Sequence, residues 1–322
     1  MSPLPPDPAT APLHVVAGVL RDAQGRVLLA QRPPGKHLAG MWEFPGGKCE
    51  RDELPVDALA RELREEIGIV VESARPLIAV PHRYPDKHIL LDAWAVSTWS
   101  GTLHPHEGQR LAWVAPDELA DVQMPAADRP IVAALRLPSR YLITPALPPG
   151  EDDALMRGIE RACRNGVRLI QLRLPQWPSE RIAGIGRRVR NLCHGYGAQV
   201  LLNDDWKLAT ILGLDGVHLP ARIAAALDRR PLPPGYWVGV SCHDAAELAH
   251  AERIGADFAT LSPVYETPDH PHSTPLGLER FAELVAAAAL PVYALGGLDG
   301  DDVEAAQMAG AQGVAAIRGF WR

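Results

Sequence analysis

Features that would tie the chain to a membrane, an oxidising compartment or a nucleic-acid polymer are scarce. No apolar run reaches the ~18 residues that a bilayer span needs. The opening MSPLPPDPAT has neither a basic start nor an apolar centre, so it does not read as a signal peptide. Its prolines predict a short disordered leader over residues 1–12. The few cysteines, Cys49, Cys163, Cys193 and Cys242, lie far apart and form no CxxC, which points to reduced thiols in the cytoplasm. Positive charge is in deficit: 32 Lys and Arg against 39 Asp and Glu give a formal charge of -7. That argues against a polymeric nucleic-acid partner, which favours a basic face. It does not argue against a nucleotide, because a bound divalent cation can carry the positive charge.

What is present is the composition of globular domains, 47% hydrophobic and 22% charged. At ~100–200 residues per domain, 322 residues suggest two. The first part alternates β-rich runs with one strong helix. His14–Leu20 and Arg26–Gln31 predict strands about a turn at Asp22–Gly25. Pro55–Ile67 predicts a helix, with proline tolerated in the first turn and Gly68 closing it. His88–Val96 and Leu111–Val114 predict further strands, and Asp128–Leu137 a short helix before a boundary at Leu137-Pro138-Ser139. From Arg140 the rhythm changes to apolar strands followed by Ala-rich helical stretches. The strands are Tyr141–Thr144, Arg168–Leu174, Gln199–Asn203, Gly216–Leu219, Trp237–Ser241, Phe258–Ser262, Val292–Leu295 and Gly313–Ile317. Eight such units predict a closed parallel (β/α)8 barrel, with a doubly wound open sheet as the alternative. The expected layout is one domain over 13–137 and a second over 140–322.

Glu62, Glu65 and Glu66 are spaced by three and four positions, so one helix face carries all three. Carboxylates so close repel one another, and a hard divalent cation removes the penalty. Such an ion polarises a phosphoryl group, lowers the pKa of bound water and shields a triphosphate. A solvated acidic face paired with Arg61 and Arg64 is the alternative for the triplet taken alone. His104-Pro105-His106 and His270-Pro271-His272 lack partners at zinc spacing and read as loops.

The surrounding stretch resembles the Nudix signature at every fixed position: Gly47, Glu53, Arg61, Glu62, Leu63, Glu65, Glu66, Gly68 and Ile69. The resemblance implies a Nudix α/β/α sandwich and a pyrophosphohydrolase dependent on Mg2+, or Mn2+ in its place. It implies metal positions at Glu62, Glu65, Glu66 and Gly46, catalytic roles for Glu66 and Glu65, and a loop framed by Gly47, Glu53 and Arg61. Trp42–Lys48, Tyr84–His88 and Glu107-Gly108-Gln109 are similar to the MutT branch, the oxidised-guanine triphosphatases. That similarity adds Glu107 as a catalytic, metal-linked carboxylate. It also places a nucleotide, 8-oxo-dGTP foremost, against Arg32, Phe44, Lys48 and Asp128. The MutT pattern has asparagine where this chain has Asp128. An ionised carboxylate only accepts, so it meets the O6 of oxidised guanine badly. Asp128 must be protonated, or bridged by water, or the base differs; it is equally placed to cap the following helix.

The second part carries polar residues at its predicted strand ends, where a barrel keeps its chemistry: Gln171, Arg173, Asn203, Asp204, His218, Ser241 and His243. The pair Gly296-Gly297 offers backbone N–H groups to a phosphate. The span resembles the thiamine-phosphate-synthase/TenI superfamily at Gln171-Leu172-Arg173, Leu202-Asn203-Asp204, Gly216–Leu219, Ser262–Thr267 and Ala294–Gly297. It departs where the synthase pattern has a lysine (here Pro175), a second acid after Gly-Val-His-Leu (here Pro220–Ile223) and a further lysine (here His270). A proton-transferring histidine of the tautomerases falls at Pro263. The resemblance therefore implies a pocket for a phosphate-bearing, thiamine-related ligand, built from Arg173, Asn203, Asp204, Ser241, His243, Gly296 and Gly297, with altered or lost activity. A regulatory sensor that binds a nucleotide or a thiamine phosphate, and a Nudix hydrolase of a thiamine-pathway diphosphate, are the rival functions.

Overall fold

The computed structural model describes residues 12–35, 38–267 and 274–321. Residues 1–11 of the expected leader and the His270-Pro271-His272 stretch lie outside them. The chain divides into two compact units between Val132 and Ala133. No helix among the described residues is long and apolar enough to cross a membrane.

In the first unit, strands β1 (Leu13–Leu20), β2 (Val27–Gln31), β3 (Trp42–Glu43) and β4 (Gly46–Lys48) precede helix α1 (Pro55–Ile67). Strands β5 (Ile69–Arg83), β6 (His88–Gly101) and β7 (Leu111–Val114) follow, and helix α2 (Arg129–Arg136) crosses the division. The strands form two sheets, ordered β4-β1-β6-β5 and β3-β2-β7. Helix α1 buries Ala58, Leu59, Leu63 and Ile67, an apolar stripe of helical period, against Val16, Leu20, Leu28 and Val96. The opposite face is left to the glutamates. Gly68 closes α1 in the left-handed region at φ 72°, its N–H reaching the carbonyls of Leu63 and Arg64.

The 15-residue strand β5 is a feature that the sequence did not announce. Pro76, Pro81 and scattered charges hide its alternation, and its register against β6 slips at three places. It is the outer strand of its sheet, where proline's missing N–H is tolerated.

The second unit alternates strands and helices. The strands are β8 (Arg140–Ile143), β9 (Leu169–Leu172), β10 (Gln199–Asn203), β11 (Gly216–Leu219), β12 (Trp237–Cys242), β13 (Phe258–Leu261), β14 (Val292–Leu295) and β15 (Gly313–Ala316). The helices are α3 (Asp152–Arg164), α4 (Ser179–Gly195), α5 (Trp206–Leu212), α6 (Ala221–Ala224), α7 (Ala245–Arg253), α8 (Gly277–Ala286), α9 (Val303–Met308) and α10 (Arg318–Trp321). All eight strands pair in parallel and β15 returns to β8, so the sheet is a closed barrel rather than an open one. Tyr141, Leu169, Leu201, Trp237, Phe258 and Tyr293 fill its interior. The alternate residues, such as Leu142, Ile170, Val217 and Ala259, face the helices. Strand β9 ends at Leu172, so Arg173 stands just beyond it on the rim with the other polar strand ends.

Candidate functional sites

The loop before α1 is fastened to the helix by one bidentate pair. Arg61 donates to Glu53 through Nε at 2.9 Å and Nη2 at 2.8 Å, and Nη2 also reaches the Lys48 carbonyl at 3.0 Å. The guanidinium holds the Glu53 carboxyl down at about 2. Arg61 Nη1 donates to Glu62 at 2.9 Å and to Glu65 at 3.4 Å. Glu62 lies against β4 so closely that a Cβ on Gly47 would overlap its carboxylate. Glu66 is half-buried and accepts the Gly46 N–H at 3.1 Å. Burial first, then the nearness of Glu107, Glu43 and Glu62, pushes its carboxyl up to about 7.

Glu62, Glu66 and Glu107 make this a site rich in carboxylates, with Arg61 at its edge. Its donors are all oxygens, which suits a hard divalent ion. Mg2+ commonly takes one or two carboxylates and fills its shell with water and substrate phosphate. That matches Glu62 and Glu66 on either side of Gly46-Gly47. Among the described residues no three His, Cys, Asp or Glu side chains form a complete metal cage. Glu65, 61% exposed and turned to Arg61, stands apart from the other two.

Glu107 reaches this site through a loop that sequence spacing had marked only by resemblance. Buried Gln109 donates to the Glu66 carbonyl at 3.1 Å and accepts the Glu107 N–H at 3.0 Å. The His106 N–H donates to the same carbonyl at 3.0 Å, and His106 Nδ1 meets the Glu65 carbonyl at 2.9 Å. The first His-Pro-His stretch is thus a loop, as expected, and its second histidine closes the end of α1.

A second cluster gathers around Asp128, which ends the turn before α2 and is almost wholly buried. Burial, then Glu43, pushes its carboxyl up to about 7, against the pull of the Phe44 N–H and Arg32. Arg32 is ion-paired with Glu43, which offsets its charge. Burial, then the nearness of Asp128, raises the Tyr84 phenol, against the pull of the Ala127 backbone. Phe44 is buried and Lys48 is exposed on β4. The structure thus joins Arg32, Phe44 and Asp128 and adds two residues that the sequence did not single out, Glu43 and Tyr84. Their signal was faint: both lie in stretches quoted for family likeness, with no spacing that links them to residue 128.

The barrel mouth is partly wired from within. Gln171 Nε2 donates to the Tyr141 hydroxyl at 3.1 Å, Tyr141 meets His218 Nδ1 at 3.0 Å, and His218 Nε2 meets Ser241 Oγ at 2.9 Å. Gln171, Tyr141 and His218 are buried, and burial drives the His218 imidazole down to about 3, so the ring is neutral. With Tyr141 accepting from Gln171 and donating to Nδ1, the neutral ring's Nε2–H donates to Ser241, whose hydroxyl keeps a proton of its own to donate. His243 is turned to Glu247, which takes its N–H at 2.7 Å and its Nδ1 at 2.8 Å. Asp204 is ion-paired with Arg222 at 2.8 Å. The Arg173 N–H donates to Thr144 Oγ1 at 2.8 Å, and Asn203 ends β10 half-buried. Gly296 and Gly297 take φ 108° and 72°, and a Cβ on Gly297 would come within 2.7 Å of Tyr265 Cβ. Close approach of the 263–266 segment therefore explains the glycine pair before any ligand is invoked.

Comparison with known proteins divides along the same line. A family profile for the NUDIX domain matches residues 16–134, and one for thiamine monophosphate synthase matches residues 140–320. The 8-oxo-dGTP diphosphatase of Proteus vulgaris is 48% identical over 96 residues, covering 30% of this chain and 86% of that protein. The CTP pyrophosphohydrolase of Escherichia coli (strain K12) is 41% identical over 122 residues, covering 38% of this chain and 90% of that protein. The thiamine-phosphate synthase of Thioalkalivibrio sulfidiphilus (strain HL-EbGR7) is 34% identical over 188 residues, covering 58% of this chain and 89% of that protein.

Proposed function

The chain belongs to the Nudix hydrolases through its first unit and to the thiamine monophosphate synthase family through its second, and on that premise we propose that it converts a nucleoside triphosphate, 8-oxo-dGTP foremost, to the monophosphate and pyrophosphate. The first unit is homologous to diphosphatases that act on phosphoanhydride bonds. The observation that carries the reading is Glu66: a half-buried carboxylate that accepts the Gly46 N–H with Glu107, Glu43 and Glu62 close by. When bound, Mg2+ or Mn2+ would screen the triphosphate and polarise a phosphoryl oxygen. Glu62 and Glu66, with Glu107 close by, are the residues that would hold it. Glu66 is also placed to take the proton of the water that attacks an inner phosphorus, as a carboxylate held at the end of α1 against Gly46. Arg61 and Glu53 keep the loop in place, so Gly46 stays against Glu66.

Asp128 serves as the reader of the base. As a neutral acid it donates through its hydroxyl and accepts through its carbonyl, which suits the O6 and N7–H of oxidised guanine. A second reading, a cytosine nucleotide, rests on the same residue. Cytosine sets an amino donor beside an acceptor ring nitrogen, and the CTP pyrophosphohydrolase is among the relatives. In the barrel we place a pocket for a phosphate-bearing ligand with altered or lost thiamine-pathway activity, supported by Pro175, by Pro220–Ile223 where an acid is missing, and by Pro263.

A hydrolysis screen with Mg2+ across nucleoside triphosphates and thiamine-related diphosphates tests both units. The expected result is monophosphate and pyrophosphate from 8-oxo-dGTP with a specificity constant above that for dGTP. Preferred turnover of a cytosine nucleotide would select the second reading. Hydrolysis of thiamine-related diphosphates alone would overturn both.

A further inference from the structure

At the barrel mouth the Asp204 carboxylate already has a cation. Asp204 follows β10 with its backbone in the left-handed region at φ 77°, and Arg222 Nη2 reaches it from α6 at 2.8 Å. The segment after β11, Pro220-Ala221-Arg222-Ile223, has no acid that could join Asp204. We propose that Arg222 supplies, as a fixed guanidinium, the positive charge that a divalent ion would otherwise bring, so that the barrel holds a phosphate or diphosphate group without metal. This rests on reading the barrel as a phosphate-ligand pocket.

Three further observations support the assignment. First, a divalent ion at Asp204 would face the guanidinium at short range with one carboxylate to hold it. Second, Arg222 is 71% exposed and commits only Nη2 to Asp204, so its remaining N–H donors face outward in the planar fork that matches phosphate oxygens. Third, neutral donors stand on the neighbouring strands. Ser241 has its proton free for an incoming oxygen, because His218 donates to its Oγ. Thr260, paired in register with Ser241, is fully buried on the same inward face as Phe258, and its hydroxyl has no partner.

The test is calorimetric titration of the full chain with inorganic pyrophosphate, in EDTA and in Mg2+. EDTA also removes the ion on which phosphate binding in the first unit depends. Wild type is expected to bind in EDTA. Arg222→Met should weaken binding at least tenfold, and Asp204→Asn should leave it unchanged or tighten it, because the carboxylate competes for the same guanidinium. A metal site predicts the reverse for Asp204. Binding that requires Mg2+ and disappears in Asp204→Asn would overturn the role of Arg222 while leaving the pocket reading in place. Unchanged affinity in Arg222→Met would overturn it too. Absence of binding in both buffers would remove the pocket reading and the proposal together. Both side chains are at the surface, and circular dichroism checks that each variant folds.

Discussion

Two carboxyl groups in the first unit, Glu66 and Asp128, are pushed up to about 7 by burial, and their neighbours give the same shift two meanings. Glu66 sits among carboxylates under a backbone N–H, where a cation would return it to its charged form. Glu66→Gln is therefore expected to fold but to lose about 10²–10⁴-fold in kcat, the range for loss of a general base. Turnover within about tenfold of wild type would take Glu66 out of the centre of the chemistry. Asp128 has Arg32 near it, but Arg32 is also ion-paired with Glu43. Between the ordinary aspartate range near 4 and about 7, the folded chain keeps a proton on Asp128 that the unfolded chain has released. Folding stability therefore falls as pH rises through that window. Asp128→Asn removes the effect, so its gain over wild type should be larger at pH 8 than at pH 5, by roughly 1–3 kcal/mol. Thermal unfolding at the two pH values measures this, and an equal displacement at both would mean that Asp128 is not held neutral. The amide should also raise the preference for 8-oxo-dGTP over dGTP, because it keeps donor and acceptor at every pH.

Elements with a clean period were legible in advance. Helix α1 runs over the expected Pro55–Ile67, and β7, β11 and β14 have the expected limits, because apolar spacing and a closing glycine define such segments locally. The glutamate face was legible for the same reason: three and four residues along a helix is a local fact. Strand β5 was not, since its pairing depends on bulges and on its place at a sheet edge. Nor were Glu43 and Tyr84 beside Asp128, or Arg222 on Asp204, which meet only through tertiary folding. Gly47 joins the two kinds of information. It lies in β4 opposite Val16 and is a glycine for lack of space, since a Cβ would overlap the Glu62 carboxylate. Gly47→Ala should keep the sheet, displace Glu62 and raise the Mg2+ concentration for half-maximal hydrolysis about 10–100-fold, the scale seen when support of a metal ligand is lost. A metal titration of activity, with unfolding measured in EDTA, separates this from a folding defect; an unchanged Mg2+ requirement would mean that Glu62 does not hold the ion.

At the scale of the chain, the division inside α2 decides how the barrel can be studied alone. A cut at Arg140 follows the first strand of the barrel, but its core begins earlier. Leu137 is buried in the interior cluster with Tyr141 and Phe258, and Ala133 packs on it. Gln312 Nε2 donates to the carbonyls of Ala134 and Leu137 at 3.1 and 2.8 Å, and the Tyr293 hydroxyl donates to the Pro138 carbonyl at 2.5 Å. Removing residues 133–139 strips one leucine, worth ~1.5–3 kcal/mol, and the acceptors of four hydrogen bonds at ~0.5–1.5 kcal/mol each, the fourth being the Ser139 carbonyl that takes the Val314 N–H at 2.9 Å. A segment beginning at Ala133 should therefore unfold cooperatively and well above one that begins at Arg140, by several degrees in Tm. Neither segment should make thiamine phosphate from its two precursors. Arg222 already pairs with Asp204, the carboxylate that follows β10, and Pro175 stands where a cationic contact is expected. Turnover by the longer segment in Mg2+, lost on Asp204→Asn, would mean that the barrel still assembles a metal site and that the Asp204–Arg222 pair opens when substrate arrives.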